Sequence, residues 1–419
     1  MISPSPKRDD RDGTAAENHL KAAAESARRR THERSDGRLF SNVLIAGGTG
    51  QSLELAIALA RSDAKAFLLL EDANEAGRTA DILDRMIDGL PALQAGNRDL
   101  RERIAMGVWP AGSRMAFDLA IMTATGAEAS GIAIKRIAPL LAPGTPVVTA
   151  SSEGLESLLG ETGRPVGAIS FAGPVHLAQL AEVLVPGTGA GTGAGVEAGN
   201  RTGVSYAFSL AAQLDLLAVE SRSPVSLGDR LSVALWRATD RLLFDGAAPA
   251  EVDEVMEEFG FSAGPCEMQD LAGVDVALAM RNSVKRAETT GIENEETVPP
   301  FLARMVAEGR LGRKVGVGFY RYPGGGGKVE DPLIEDLIRE EAWFARHTQN
   351  PPGADTIRNR LLSALSRECT RLLDAGLALA DDIDLVSVHA LGFPACHGGL
   401  VRFSEGGRAG TTSPGALPG

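Results

Sequence analysis

The 419-residue chain is 44% hydrophobic and carries a formal net charge of −13 at pH 7. That length supports large cores in two or three domains, and the acidic balance excludes the basic footprint of nucleic-acid binding. Cys266, Cys369 and Cys396 stand in no paired spacing, which leaves neither a disulfide framework nor a zinc site and suits a reducing compartment. No apolar run reaches the ~20 residues of a membrane span, so a cytoplasmic protein is expected.

Residues 1–38 are rich in Arg, Asp, Ala and Ser and poor in large apolar residues. No hydrophobic region follows Arg28, Arg29 and Arg30, as a signal would require, and the composition predicts a solvated, disordered tail. Order is expected from Phe40. Val43–Ala46 reads as a buried strand, Gly47–Gly50 as a tight turn and Leu53–Ala60 as the start of an apolar helix. Further buried strands are predicted at 66–70, 119–122 and 146–149, with helical segments between them. This alternation predicts an α/β domain with a parallel, doubly wound sheet over residues 39–222. Residues 187–203, GTGAGTGAGVEAGNRTG, read as a flexible low-complexity loop.

From about Ser223 the pattern is helical, and it contains two similar units. The first runs from Asp229-Arg230-Leu231 through Ala250–Asp253 to Gly260–Pro265. The second runs from Asn359-Arg360-Leu361 through Asp381–Asp384 to Gly392–Gly399. Each joins an Arg-Leu helix to an acidic-capped helix and a Gly-Phe turn, which predicts an internal duplication. The expected all-α domains are 223–323 and a shorter copy at 354–404. A linker is expected at 324–353 and a second disordered tail at 405–419.

Arg304–Tyr322 (RMVAEGRLGRKVGVGFYRY) places four glycines, three aromatics and five basic residues in an order that makes no amphipathic pattern. This stretch resembles the signature closing the first helical domain of L-3-hydroxyacyl-CoA dehydrogenases. Gly264–Asp275 (GPCEMQDLAGVD), Gly392-Phe393-Pro394 and Gly398-Gly399 are similar to further motifs of that family. Over about 40–404 the chain resembles the dehydrogenase half of bacterial multifunctional β-oxidation proteins, a Rossmann domain followed by two tandem helical domains, here as a stand-alone version. The resemblance implies NAD as cofactor, no metal, and NAD-dependent oxidation of an L-3-hydroxyacyl-CoA to the 3-oxoacyl-CoA. Other β-oxidation enzymes are the implied partners. The resemblance implies a homodimer, or a monomer if the second helical copy replaces a partner subunit.

A Rossmann fold holds a pyrophosphate on backbone N–H groups at a glycine-lined helix start. Here Gly48 and Gly50 fit the pattern, and Leu53 stands where a third glycine is expected. Glu71, about 20 residues on, is the candidate for the ribose hydroxyls, with Asp72 as the alternative. The family's carboxylates after the fourth strand are missing from Met122–Gly126, whereas Lys135 falls near a family lysine.

The family's catalytic motif, approximately His-Phe-Phe-Asn-Pro-Val followed by Leu-Val-Glu-Val, corresponds to Ser170–Val175 and Leu180–Val183. Glu182 thus matches the carboxylate that orients the base, and Ser170 occupies the base's own position. A serine hydroxyl is no useful proton acceptor at neutral pH, and loss of a positioned base costs on the order of 10²–10⁴ in rate. His176 reads as a peripheral surface histidine. The polar loop after the fifth strand reads Thr149–Leu155 and includes Glu153. Asp229 replaces the asparagine that would touch the substrate carbonyl, and an ionised Asp cannot donate a hydrogen bond there.

Three readings follow from these positions. One is a working NAD-dependent 3-hydroxyacyl-CoA dehydrogenase with another base. The second is a degenerate dehydrogenase fold that binds acyl-CoA or a partner. The third is an oxidoreductase in which Glu153, Glu182 and Asp229 make an acidic pocket.

Overall fold

The structure is a computed structural model, and it describes residues 10–48, 50–90, 97–108, 116–124, 127–150, 164–185, 194–287 and 299–409. It divides into two units, one of residues 22–226 and one of residues up to 21 together with 227–419.

The first unit holds an eight-stranded sheet: β1 Asn42–Ala46, β2 Lys65–Leu70, β3 Ile104–Val108, β4 Leu119–Met122, β5 Val147–Thr149, β6 Val166–Phe171, β7 Leu180–Leu184 and β8 Leu217–Ser221. The strand order is β3-β2-β1-β4-β5-β6-β7-β8. Every pairing is parallel except β6 with β7. Strands buried on both faces need continuous apolar runs, and β1 and β4 supply them: Val43, Leu44, Ile45, Leu119, Ala120, Ile121 and Met122 are all fully buried. The helices are α1 Asp10–Arg34, which belongs to this unit only from residue 22 onward, α2 Gly50–Arg61, α3 Ala73–Asp88, α4 Asn97–Glu102, α5 Ala127–Ile137 and α6 Ala194–Gln213. Strand order reverses at β1, with β2 and β3 laid on one side and β4 on the other, the switch point where such sheets bind ligands beyond their strand ends.

Before residue 223, two segments expected to lack structure are helical. Residues 10–34 of the supposed tail form α1, whose residues 16, 23, 27 and 31 fall on one buried stripe. The stripe is Ala16, Ala23, Ala27 and Thr31, so the face is built from small side chains and carries little hydrophobic signal. In the sheet unit, Thr31 Oγ1 accepts from the Ala218 backbone N–H at 3.1 Å and donates to Ala27 O at 2.8 Å. The glycine-rich stretch also becomes helix from Ala194 onward, and residues 187–193 lie outside the described residues. A Cβ at Gly203 would overlap the Val166 carbonyl and a Cβ at Gly167 would overlap the Gly203 carbonyl. Glycine is required there to bring α6 onto β6.

The second unit is helical: α7 Leu227–Phe244, α8 Pro249–Phe259, α9 Pro265–Ala272, α10 Val274–Ala287, α11 Pro300–Ala307, α12 Pro332–Phe344, α13 Ala354–Asp374, α14 Ala380–His389 and α15 Leu400–Ala409, with a small ribbon of β9 Tyr320–Arg321 and β10 Val329–Glu330. The expected linker 324–353 therefore contains β10 and α12. Asp331 starts that helix by accepting from Leu333 N, and Ile334, Leu337, Ile338 and Ala342 bury one face. The expected second tail is helical to Ala409; its remaining residues are not described.

The two sequence units use one capping device. Asp253 in α8 accepts from the N–H groups of Cys266 (2.7 Å) and Glu267 (2.9 Å) at the start of α9. Asp384 in α14 accepts from Val401 N at 2.7 Å at the start of α15, and His19 pairs with it at 2.9 Å. Each carboxylate stabilises orphan donors at a helix N-terminus. Gly264 and Gly399 precede those helices, and a Cβ on either would overlap the aspartate it faces. The long helices α7 and α13 pack on each other; α14 packs on α7, and α8 on α13.

The Arg304–Tyr322 signature closes around a second aspartate, Asp270 of α9. Its carboxylate accepts from Phe319 N (2.8 Å), Tyr320 N (2.9 Å) and Tyr322 Oη (3.0 Å), while Tyr320 Oη donates to Asp253 at 2.9 Å. Arg310 donates to Gly318 O at 2.8 Å and to Asp331 at 2.6 Å. Two glycines of the signature, Gly312 and Gly318, serve close approach, because a Cβ at either would overlap Asp270.

Burial pushes the carboxyls of Asp253 and Asp270 from 3.8 up to about 6. Each binds a proton more readily folded than unfolded. Their contribution to stability is complete below about pH 4 and is lost as pH rises through about 6, by up to ~3 kcal/mol per group. The thermal midpoint is expected to rise by a few degrees between pH 7.5 and pH 5.5. A midpoint that is flat or falling over that interval counts against this balance.

Candidate functional site

Beyond the carboxyl ends of β1, β2 and β4 lies a cleft of about 520 Å³, lined among others by Gly47, Gly48, Glu71, Glu75, Thr123 and Arg136. Gly47 turns the chain at φ +132°, a conformation suited to glycine. α2 begins at Gly50, where a Cβ would meet no atom of the described residues within 4 Å. Leu53, which replaces the third glycine, is 2% exposed in the apolar core beneath the sheet. Its side chain is spent on packing. Thr123 Oγ1 donates to Ala46 O at 3.1 Å and shares a 2.8 Å hydrogen bond with Ser52 Oγ. The position after β4 where the family keeps carboxylates thus ties β4 to the first turn of α2.

Glu71 follows β2 at the cleft edge, and its carboxylate pairs with Arg136 of α5. Asp72, the alternative for a ribose contact, is occupied as the cap of α3, accepting from Glu75 N at 2.8 Å. Glu75 turns back to accept from Glu71 N at 2.6 Å, which lays its carboxylate against Gly48. Lys135 is exposed on α5 and does not line the cleft, whereas its neighbour Arg136 does. Glu75 and Arg136 were absent from the sequence reading. The Asp72-x-x-Glu75 capping pattern was a usable signal for the first; nothing local marked the second.

Ser170 and Glu182 are brought together. They are direct partners in the antiparallel β6–β7 ladder, a relation that puts opposing Cβ atoms about 4.5–5.5 Å apart. Glu182 is 3% exposed and Ser170 is partly exposed. His176 lies in the turn between these strands. Its carbonyl accepts from Arg61 Nη1 at 2.9 Å, its buried Nδ1 has no partner among the described residues, and burial pushes its imidazole below the ordinary value. Val175 N donates to Glu54 of α2 at 3.0 Å, so the turn is held on the α2 side. Glu153 lies outside the described residues. Asp229, in the first turn of α7, belongs to the helical unit.

Comparison with known proteins bears on both units. Residues 227–322 match the 3-hydroxyacyl-CoA dehydrogenase C-terminal domain. The match is confined to the helical unit. It ends on the residue that closes the signature around Asp270. The chain is 30% identical over 270 residues to the peroxisomal bifunctional enzyme of Cavia porcellus, covering 61% of this chain and 35% of that protein. It is 29% identical over 242 residues to the fatty acid oxidation complex subunit alpha of Psychrobacter sp., covering 56% and 31%. The chain thus spans about a third of the length of these curated relatives.

Among solved structures, 3-hydroxybutyryl-CoA dehydrogenase from Escherichia coli K12 superposes with a TM-score of 0.65 at 18% identity, covering 90% of this chain and 96% of that one. The dehydrogenase part of multifunctional enzyme 1 from C. elegans gives 0.54 at 19% identity, covering 84% and 78%. At these identities the two likenesses bear on the fold alone. Among the described residues no helix is long and apolar enough to cross a membrane, and no cluster of potential metal ligands occurs.

Proposed function

We propose that the chain is a 3-hydroxyacyl-CoA dehydrogenase-like protein of fatty-acid β-oxidation that binds NAD in the β1–β2–β4 cleft and an L-3-hydroxyacyl-CoA beside it, with the ordinary base catalysis largely lost. The observation that carries this reading is the Ser170–Glu182 pair: the carboxylate that would orient a base is kept and buried, and the residue facing it is a serine.

The cleft fits the cofactor. Gly47 and Gly48 line the cleft beside the head of α2, and Glu71 stands at the end of β2, the place where a Rossmann fold binds ribose hydroxyls. Bound NAD would supply the hydride acceptor for C3 of the substrate. Removal of the hydroxyl proton falls to the protein, and Ser170 performs that step poorly because its hydroxyl is far too weak a base. Glu182 in turn has no imidazole to orient. The acidic-pocket reading gains no support, since of its three carboxylates only Glu182 is described in the sheet unit. The paired aspartate caps at Asp253 and Asp384 favour reading the helical unit as two tandem copies of one domain, the second standing where a partner subunit's domain would pack.

The test is titration with NADH followed by nicotinamide fluorescence, then addition of acetoacetyl-CoA with absorbance recorded. Saturable binding is expected, with turnover below that of a histidine-bearing relative by on the order of 10²–10⁴. Failure to bind NADH removes the cofactor reading; turnover at the relative's rate shows that another group serves as base.

A further inference from the structure

Resting on the proposal that the cleft takes a nicotinamide dinucleotide, we infer that Arg136 sets its cofactor preference, neutralising Glu71 and offering a cationic seat to a 2′-phosphate, so that NADPH is admitted alongside NADH. A lone carboxylate at the end of the second strand accepts from the ribose 2′-hydroxyl and repels a 2′-phosphate, whereas an arginine there accommodates the phosphate. This chain has both groups in one ion pair, Arg136 of α5 on Glu71.

The charges around the pair strengthen the argument. Glu75 brings a second carboxylate into the same cleft, held by the Glu71 N–H at 2.6 Å and lying against Gly48. Arg136 is the one cation among the described lining residues. Without it, a dinucleotide would meet two acids and no cation among the described lining residues. The pair is also free to rearrange, because its side chains are 44% and 67% exposed and an exposed ion pair is weak. A 2′-phosphate carries up to about two negative charges and three acceptor oxygens, and it competes with a single carboxylate for the guanidinium fork. Arg136 is thus positioned to exchange Glu71 for the phosphate when NADPH enters, and to stay on Glu71 when NADH enters.

The experiment compares NADH and NADPH dissociation constants by nicotinamide fluorescence for the wild type, Arg136→Gln and Glu71→Gln, with thermal unfolding as the check on folding. The wild type should bind both within roughly tenfold. Arg136→Gln should weaken NADPH relative to NADH by roughly tenfold or more, and Glu71→Gln should shift the ratio the other way by a similar factor. If Arg136→Gln weakens both nucleotides equally, or leaves the ratio unchanged, Arg136 does not set the preference and the inference is overturned while the dinucleotide cleft stands. If no variant binds either nucleotide, the cleft reading falls and takes the inference with it.

Discussion

Replacing Ser170 with histidine is expected to raise NAD-dependent oxidation of an L-3-hydroxyacyl-CoA by on the order of 10²–10⁴. The expectation follows from strand register. Position 170 faces Glu182 directly across β6 and β7, and side chains at such positions are within contact of one another. An imidazole introduced there would have one ring nitrogen beside a buried carboxylate and the other available to the substrate. The carboxylate would also favour the protonated ring, drawing its titration to or above neutrality. NADH affinity should be unchanged, because the substitution lies outside the cleft-lining residues. The double variant Ser170→His with Glu182→Gln should lose most of the gain. A single variant that binds NADH but gains less than tenfold would mean that the missing histidine is not what limits this protein.

How much of this was legible beforehand depends on where each signal resides. β1 and β4 could be read because a strand buried on both faces must be an unbroken apolar run, as Val43–Ala46 and Leu119–Met122 are. The likeness of the two helical sequence units has one visible counterpart in the structure, a capping aspartate with the same local job, performed by Asp253 and by Asp384. The first helix could not be read, because Ala16, Ala23 and Ala27 bury its face without large side chains. α6 was hidden for a related reason: glycine weakens a helix in isolation, and Gly203 is needed only once β6 lies beneath it.

The site shows the same division. Gly48, Gly50, Glu71, Ser170 and Glu182 were recognisable as positions in motifs, and the ladder places two of them opposite each other. The Arg136–Glu71 pair and the Glu75–Gly48 contact arise where α3 and α5 converge on the end of β2. Residues 65 positions apart in the chain announce no such meeting in a single sequence.

Removing the carboxylate of Asp270 is expected to cause the largest loss of stability of any single change in the helical unit. Asp270→Ala would leave the N–H groups of Phe319 and Tyr320 and the hydroxyl of Tyr322 without their acceptor in a site closed to water. Each stranded donor costs roughly 1–3 kcal/mol, so the sum is comparable with the whole stability of a typical domain, about 5–15 kcal/mol. Asp270→Asn keeps the shape and one acceptor oxygen but turns an amide toward the remaining donors, and it should lie between the wild type and the alanine variant. Gly318→Ala attacks the same contact from the other side, since its methyl would overlap the Asp270 carboxylate. Circular dichroism melting should therefore rank Asp270→Ala lowest, with Gly318→Ala and Asp270→Asn both below the wild type. An alanine variant melting within a couple of degrees of the wild type would show that the signature does not draw its hold on α9 from this carboxylate, and the three hydrogen bonds would have to be judged incidental to the packing of Phe319 and Tyr320.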